Sequence, residues 1–232
     1  MKFCFRLFVL SFVSIALYSA EGQGQIVIQH TGYNDPLSEG FTIHSFGAVQ
    51  VAGVTNDSGY NAWATLFSGS GVVYSANVGN LTGSDWVLSV TVKIAATNAN
   101  PYGSVFDAGI STGTSSIGMA FGADSNGNQL VLIQRYGEFA INGSSYNNYQ
   151  LVYDATANAA SLWINGMQKL SGITGFVPSI ATLSWGGGYQ SPSSYQANWN
   201  LVSLEIVPEP GMLSLICFGG GALLYVIRRR HR

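Results

Sequence analysis

Between residues 25 and 207 the chain carries nine carboxylic acids: Asp35, Glu39, Asp57, Asp85, Asp107, Asp124, Glu138, Asp154 and Glu205. Glycosidic-bond hydrolysis needs two of them facing one another across a groove. On a strand that means acids at i and i+2, because alternate side chains share a face. No two acids here lie within three residues of each other, so no strand presents a ready pair. Gly109-Ile110-Ser111-Thr112-Gly113 matches Gly-x-Ser-x-Gly, the elbow that exposes a nucleophilic serine between a strand and a helix. The next residues, Thr114-Ser115-Ser116, lead into another strand, so a plain turn is expected. The only bases in this region that titrate near neutrality are His30 and His44, both expected at the surface or on strand edges. Asp124-Ser125-Asn126-Gly127-Asn128 begins like a calcium loop with oxygens at alternate positions. Gln129 stands where that loop needs glycine and Arg135 where it needs a bidentate acid. A hairpin turn is the reading, with calcium weakly supported and no other cofactor or metal implied.

Aromatic residues are the remaining chemistry. Trp185, Tyr189, Tyr195 and Trp199 fall within 15 residues, interleaved with Gly186-Gly187-Gly188 and Ser191-Pro192-Ser193. Sugar rings present apolar C–H faces that suit such platforms, and Gly/Ser-rich loops are frequent carriers of function. These four are the candidate ligand-binding residues. The competing expectation is that both tryptophans belong to the core and the tyrosines brace the loop.

Against the nine acids stand three bases, Lys93, Arg135 and Lys169, for a net charge of −6 in this region; the −2 of the whole chain hides it. Such a balance excludes a basic groove for nucleic acid. Both cysteines, Cys4 and Cys217, lie outside the region. The region therefore has no disulfide and no thiolate-bound metal, and must be stabilised by its core alone.

The elements that would position any site are strands. Trp86-Val87-Leu88-Ser89-Val90-Thr91-Val92-Lys93-Ile94 alternates with period two, as a half-buried antiparallel strand does. Further strands are expected at 25–30, 48–54, 72–76, 104–110, 117–122, 129–133, 149–154, 160–165, 183–185 and 200–206. Asn126-Gly127, Asn142-Gly143 and Asn165-Gly166 are hairpin signals. No amphipathic helix is evident between 25 and 207. The fold class is all-β, a sandwich or barrel.

Residues 149–170 narrow this. Tyr149-Gln150-Leu151-Val152-Tyr153-Asp154, a short loop, Ala160-Ser161-Leu162-Trp163-Ile164-Asn165-Gly166 and then 167–170 read as three strands joined by two turns. The stretch resembles concanavalin A-like, laminin-G-type jelly rolls. The resemblance implies a sandwich of two antiparallel sheets over 25–206, with the last strand returned beside an early one. That fold carries lectins, glycosidases and adhesion modules, so it implies no single function. Its glycosidases carry Glu-x-Asp-x-Glu on one strand, and no such spacing occurs here.

The two ends read as targeting segments. Lys2 and Arg6 precede a 12-residue apolar stretch, 7–18, the pattern of a signal peptide, with cleavage expected after Gly22. At the other end come Val207-Pro208-Glu209-Pro210-Gly211, a 16-residue run without charge over 212–227, and Arg228-Arg229-Arg230-His231-Arg232. As a helix that run covers roughly 24 Å, against a hydrocarbon core of about 30 Å. The arginines place the C-terminus in the cytoplasm. This tail resembles the bacterial PEP-CTERM sorting signal. The resemblance implies a sorting motif at Pro208, Glu209 and Pro210, a single transmembrane helix over 212–227 and a basic tail over 228–232. It also implies an exosortase-type membrane protease as partner, export through the inner membrane, and either retention as a single-pass protein or processing to the surface. The expectation for function is a non-catalytic, surface-displayed module, glycan-binding or structural in an extracellular polysaccharide layer. The alternatives are a secreted glycan-active hydrolase and a purely adhesive protein.

Overall fold

The computed structural model describes residues 25–46, 51–68, 71–97, 106–123, 128–187 and 194–207. Residues 26–206 form one compact unit with its own core. Of the segments on either side of that unit, only Gln25 and Val207 are described. The expected signal peptide, the Pro208-Glu209-Pro210 motif and the 212–227 helix lie outside the described residues. Among those described, no helix is long and apolar enough to cross a membrane.

This unit is all-β. Its strands are β1 (Gln25–Thr31), β2 (Thr42–Phe46), β3 (Val51–Asp57), β4 (Tyr60–Ser68), β5 (Gly71–Asn80), β6 (Asp85–Thr97), β7 (Phe106–Thr112), β8 (Ser116–Ala123), β9 (Gln129–Ile133), β10 (Gly137–Ala140), β11 (Asn147–Asp154), β12 (Ala159–Ile164), β13 (Met167–Ile173), β14 (Ile180–Gly187) and β15 (Ser194–Val207). They form two antiparallel sheets. One has the order β13-β12-β11-β6-β15-β4-β3, with β1 also paired to β15. The other runs β10-β9-β8-β7-β14-β5-β2. The helical content described is one 3-10 turn, Pro36–Glu39, opened by Asp35 accepting from the Leu37 N–H at 2.9 Å and closed by Gly40 at φ 94°.

Side-chain alternation decides which face of each strand is buried. On β6, Trp86, Leu88, Val90, Val92 and Ile94 are all inside, as their period-two spacing predicts. They meet Tyr153, Leu151 and Tyr149 of β11 in register, and Trp86 stacks on Tyr153 at 5.1 Å and 9°. The opposing sheet closes over them: Phe121 of β8 sits edge-on to Tyr149 at 4.9 Å. The closing strand β15 lies at the centre of its sheet, between β6 and the β4/β1 pair, as expected of a last strand returned beside an early one.

Turn chemistry holds in part. Asn165 and Gly166 both take positive φ, 51° and 76°, in the two-residue connection of β12 to β13, as a primed hairpin turn requires. Asn142-Gly143 is not a hairpin. It lies in the crossover from β10 to β11, which belong to different sheets. A Cβ at Gly143 would lie 0.7 Å from Oε1 of Gln129, so a side chain there would displace the Gln129 amide that donates to the Ile94 carbonyl at 3.1 Å. Asn126-Gly127 lies outside the described residues. Strands β2, β4 and β10 are additions to the expected set. In β4 the neighbours Ala62 and Trp63 are both buried, so the alternation that marks a half-buried strand is missing from its sequence.

Candidate functional site

The two tryptophans of the expected aromatic platform lie in the core. Trp185 of β14 and Trp199 of β15 are both 0% exposed. Both point inward, from opposite sheets, and their rings lie 5.2 Å apart at 54°. Trp185 stacks on Tyr74 at 4.6 Å, and Trp199 donates through Nε1 to Oγ1 of Thr65 at 3.1 Å. Neither ring offers a face to a sugar; the pair is the centre of the core. Tyr189 lies outside the described residues. Tyr195 pairs with Phe67 along the β15–β4 ladder, and its side chain is not among those described.

His30 also departs from expectation. It is 0% exposed, stacked on Trp185 at 4.6 Å, and its Nδ1 lies 2.5 Å from Oε2 of Glu39. Desolvation lowers the imidazole pKa and outweighs the attraction of Glu39 and Asp35. Desolvation also pushes Glu39 upward, but hydrogen bonds from Thr31, His30 and Asn34 together hold it below its ordinary value. The imidazole is therefore a neutral brace tying β1 to the 3-10 turn, enclosed by Phe41, Trp63 and Trp185. It has no open side from which to act as a base. His44 lies exposed on β2.

Ser111 lies on β7, and residues 113–115 turn directly into β8 with Ser111 opposite Ser116. A strand and not a helix follows, so no nucleophile elbow forms; the expected turn begins only at Gly113, because 109–112 belong to β7. The calcium-like stretch at 124–127 lies outside the described residues. Among the described residues, no three His, Cys, Asp or Glu side chains gather as metal ligands would.

Strand register, rather than any local motif, makes a groove among the described residues. It lies over the outer face of the seven-stranded sheet and encloses ≈ 850 Å³. Pairing of β14, β7, β8 and β9 lays its floor in rows. One row runs Gly186, Asp107, Ala120, Leu132; the next Ser184, Gly109, Gly118; the third Thr182, Ser111, Ser116. The alternate residues Phe106, Ala108, Ile110, Ile117, Met119 and Phe121 are buried on the other side. Gly109 and Gly118 face each other where the two strands approach closely. A Cβ on Gly109 would lie 2.7 Å from the Ile117 carbonyl oxygen, and one on Gly118 3.0 Å from that of Ala108. Glycine at both positions permits this approach and leaves the middle of the floor bare at this pair.

The end of the groove is built by a strap. Tyr136 donates its hydroxyl to the Thr174 carbonyl at 2.9 Å and accepts from the Thr174 N–H at 2.7 Å. Ser115 accepts from the Val177 N–H at 2.8 Å. These bonds fix 174–177 against the β7–β8 and β9–β10 turns. The lining is hydroxyls, a smooth floor, Gln134, Arg135 and one acid, Asp107. Desolvation by the crowded sheet pushes the Asp107 carboxyl up to about 6. The side chain nonetheless keeps solvent contact, so its shift is smaller than full burial would cause. No cation or hydrogen bond contributes to that shift, and the carboxylate is free to accept from an incoming donor. Sequence reading missed this site because its signal is spread over four strands of Gly, Ser and Ala.

No family model matches the chain, and no curated protein matches it. Solved structures do. A carbohydrate esterase from Shiga toxin-encoding bacteriophage phi24B superposes with a TM-score of 0.63 at 12% identity, over 80% of this chain and 100% of that one. Domain 4 of an extracellular arabinanase from Geobacillus stearothermophilus, solved with arabinotriose, gives 0.49 at 15% identity over 81% and 95%. Peanut lectin gives 0.48 at 10% identity over 72% and 97%. At such identities what is shared is the fold: an all-β sandwich of two antiparallel sheets.

Proposed function

We propose that residues 25–206 form a concanavalin A-like jelly-roll module that binds a glycan in the groove over the seven-stranded sheet and does not cleave it. The observation that carries the reading is the groove's chemistry. Its floor has a strip without side chains at Gly109 and Gly118, where the C–H face of a sugar ring could lie. Hydroxyls of Ser111, Ser116 and Ser184 and the Asp107 carboxylate border that floor, suited to a sugar's hydroxyls. Glycoside hydrolysis by paired carboxylates needs a second acid within about 5–10 Å, and Asp107 is the one acid of the lining. An esterase of the same fold, such as the bacteriophage protein, would need a nucleophile and a base. Ser111 and Ser116 have no histidine in the groove lining with them: His30 is sealed in the core and His44 lies on β2, three strands from β7.

We further propose that the module is exported through the inner membrane and held by the 207–232 tail until an exosortase-type protease acts near Pro208-Glu209-Pro210. It would then serve at the cell surface or in an extracellular polysaccharide layer. Proline at 208 and 210 disfavours helix in the residue before each, which leaves an extended peptide for a protease. The test of binding without cleavage is a panel of polysaccharides incubated with the protein and assayed both for retention and for new reducing ends. Retention with no reducing ends supports the reading. Reducing ends above a heat-inactivated control would replace it with the hydrolase.

A further inference from the structure

We propose that the free edge strand β3 pairs with β3 of a second copy, joining two eight-stranded sheets across a two-fold axis at Val54. Among the described strands, β13 and β3 end one sheet and β10 and β2 the other, while β1 branches from β15 and is capped at its end, where the Thr31 N–H donates to Glu39 at 3.0 Å. An edge exposes unpaired N–H and C=O groups and is normally blunted by shortness, charge, proline or a bulge. Strand β13 slips register twice against β12 and carries Lys169. Strand β10 has four residues and carries Glu138, and β2 has five with His44 at its middle. Strand β3 has none of these guards. It is seven residues long, reads Val-Ala-Gly-Val-Thr-Asn-Asp, and keeps unbroken register with β4 from Val51↔Leu66 to Asp57↔Tyr60. Its one charge, Asp57, is neutralised by Lys93 at 2.8 and 3.0 Å and also accepts from Asn198 at 2.8 Å.

Val54 points to the occupant. It pairs with Trp63, a core residue, and so faces the core side of the sheet. It is nevertheless 54% exposed. Across the sandwich Ile43 of β2 is in the same position: it pairs with core Tyr74 and is 43% exposed. Trp63 and Tyr74 are themselves joined across the two sheets by a 2.9 Å hydrogen bond. One strand further out, the sandwich therefore leaves an apolar seam open. An antiparallel strand added to β3 satisfies its backbone groups and covers Val54. A two-fold interface must be self-complementary, and β3 is: Val54 is its central residue, so the axis sets Val54 against Val54 and Ala52 against Asn56, with no like charges opposed.

The test uses the full chain in detergent, with Cys4→Ser and Cys217→Ser removing the two native thiols. Val54→Cys is compared with Met167→Cys, a similarly exposed position (58%) on the guarded edge. Thiols held together in a specific dimer react at high effective concentration, so mild oxidation should give about tenfold or more covalent dimer from Val54→Cys than from Met167→Cys. Val54→Lys installs the missing guard and should convert a sedimenting dimer to monomer with an unchanged far-ultraviolet β spectrum. Should Val54→Lys lose that spectrum, the cross-linking ratio decides alone. A wild type that sediments as a monomer, equal cross-linking at the two positions, or a folded Val54→Lys that stays dimeric would each overturn the proposal.

Discussion

Replacing Asp107 by asparagine should stabilise the protein at neutral pH while weakening its grip on ligand. The side chain keeps its size and loses only its charge. Burial in the crowded sheet raises the carboxyl from 3.8 to about 6. Between those values the folded chain holds a proton that the unfolded chain has released, so stability falls as pH climbs through this window and stays lower above it. Taken at face value the shift costs about 3 kcal/mol once the group is ionised. Asp107 keeps solvent contact, and screening there reduces the figure to about 1 kcal/mol. Asparagine escapes this cost, so Asp107→Asn should melt about 2–4 °C above wild type at pH 7.5. At about pH 2.5, where the wild-type carboxyl is almost wholly protonated in both states, the difference should vanish. Differential scanning calorimetry at the two pH values measures both. No gain at pH 7.5, or an equal gain at both, would refute the claim that this carboxylate is held against its solvation preference. A gain would mark it as a group kept at a cost to the fold, the trade expected where a residue serves binding.

Three other outcomes follow, two from the core and one from the sequence of the tail. Trp199→Ala empties the centre of the core and should cost about 3–5 kcal/mol of stability in denaturant titration, with any loss of ligand binding matched by loss of fold. His30→Gln should flatten the acid limb of stability. Because burial lowers the His30 pKa, the unfolded chain binds protons first, and wild-type stability falls as pH drops below 6.5; chemical denaturation from pH 7 to 5 reads the slope. Alanine at Pro208, Glu209 and Pro210 should trap the full-length chain in the inner membrane. Recovery of peptides containing Arg228–Arg232 from the dominant surface form of the wild type would instead show that the tail is kept.

The sequence foretold those parts of the fold in which each strand buries one face. Trp86 to Ile94 alternates because β6 has the core on one side and solvent on the other. The Asn165-Gly166 turn was legible because two consecutive positive φ angles restrict the residues that can stand there. Strand β4 was not, since neighbouring Ala62 and Trp63 are both buried. The direction of Trp185 and Trp199 was equally hidden: an aromatic on a strand can face core or ligand, and only the pairing of β14 and β15 sets which. His30 looked like a surface residue because nothing nearby in sequence announces that Glu39, nine positions on, turns back to hold it. The groove was least visible of all. Its row of Gly186, Asp107, Ala120 and Leu132 comes from four strands, and glycine, serine and alanine advertise no chemistry until register brings them together.

The central claim is that the groove around Asp107 is where a glycan binds, and affinity electrophoresis tests it most directly. Wild type, Asp107→Ala, Ser184→Leu and Gln150→Ala are run through gels containing each polysaccharide of a panel. Gln150 lies exposed on the other sheet, on β11, and serves as the control. The account predicts a polysaccharide that retards wild type and Gln150→Ala equally, with retardation lost in Asp107→Ala and Ser184→Leu while both variants still unfold in one cooperative transition that is no lower than wild type for Asp107→Ala. Retardation that survives both groove substitutions, or that Gln150→Ala abolishes, would place the glycan elsewhere and contradict it.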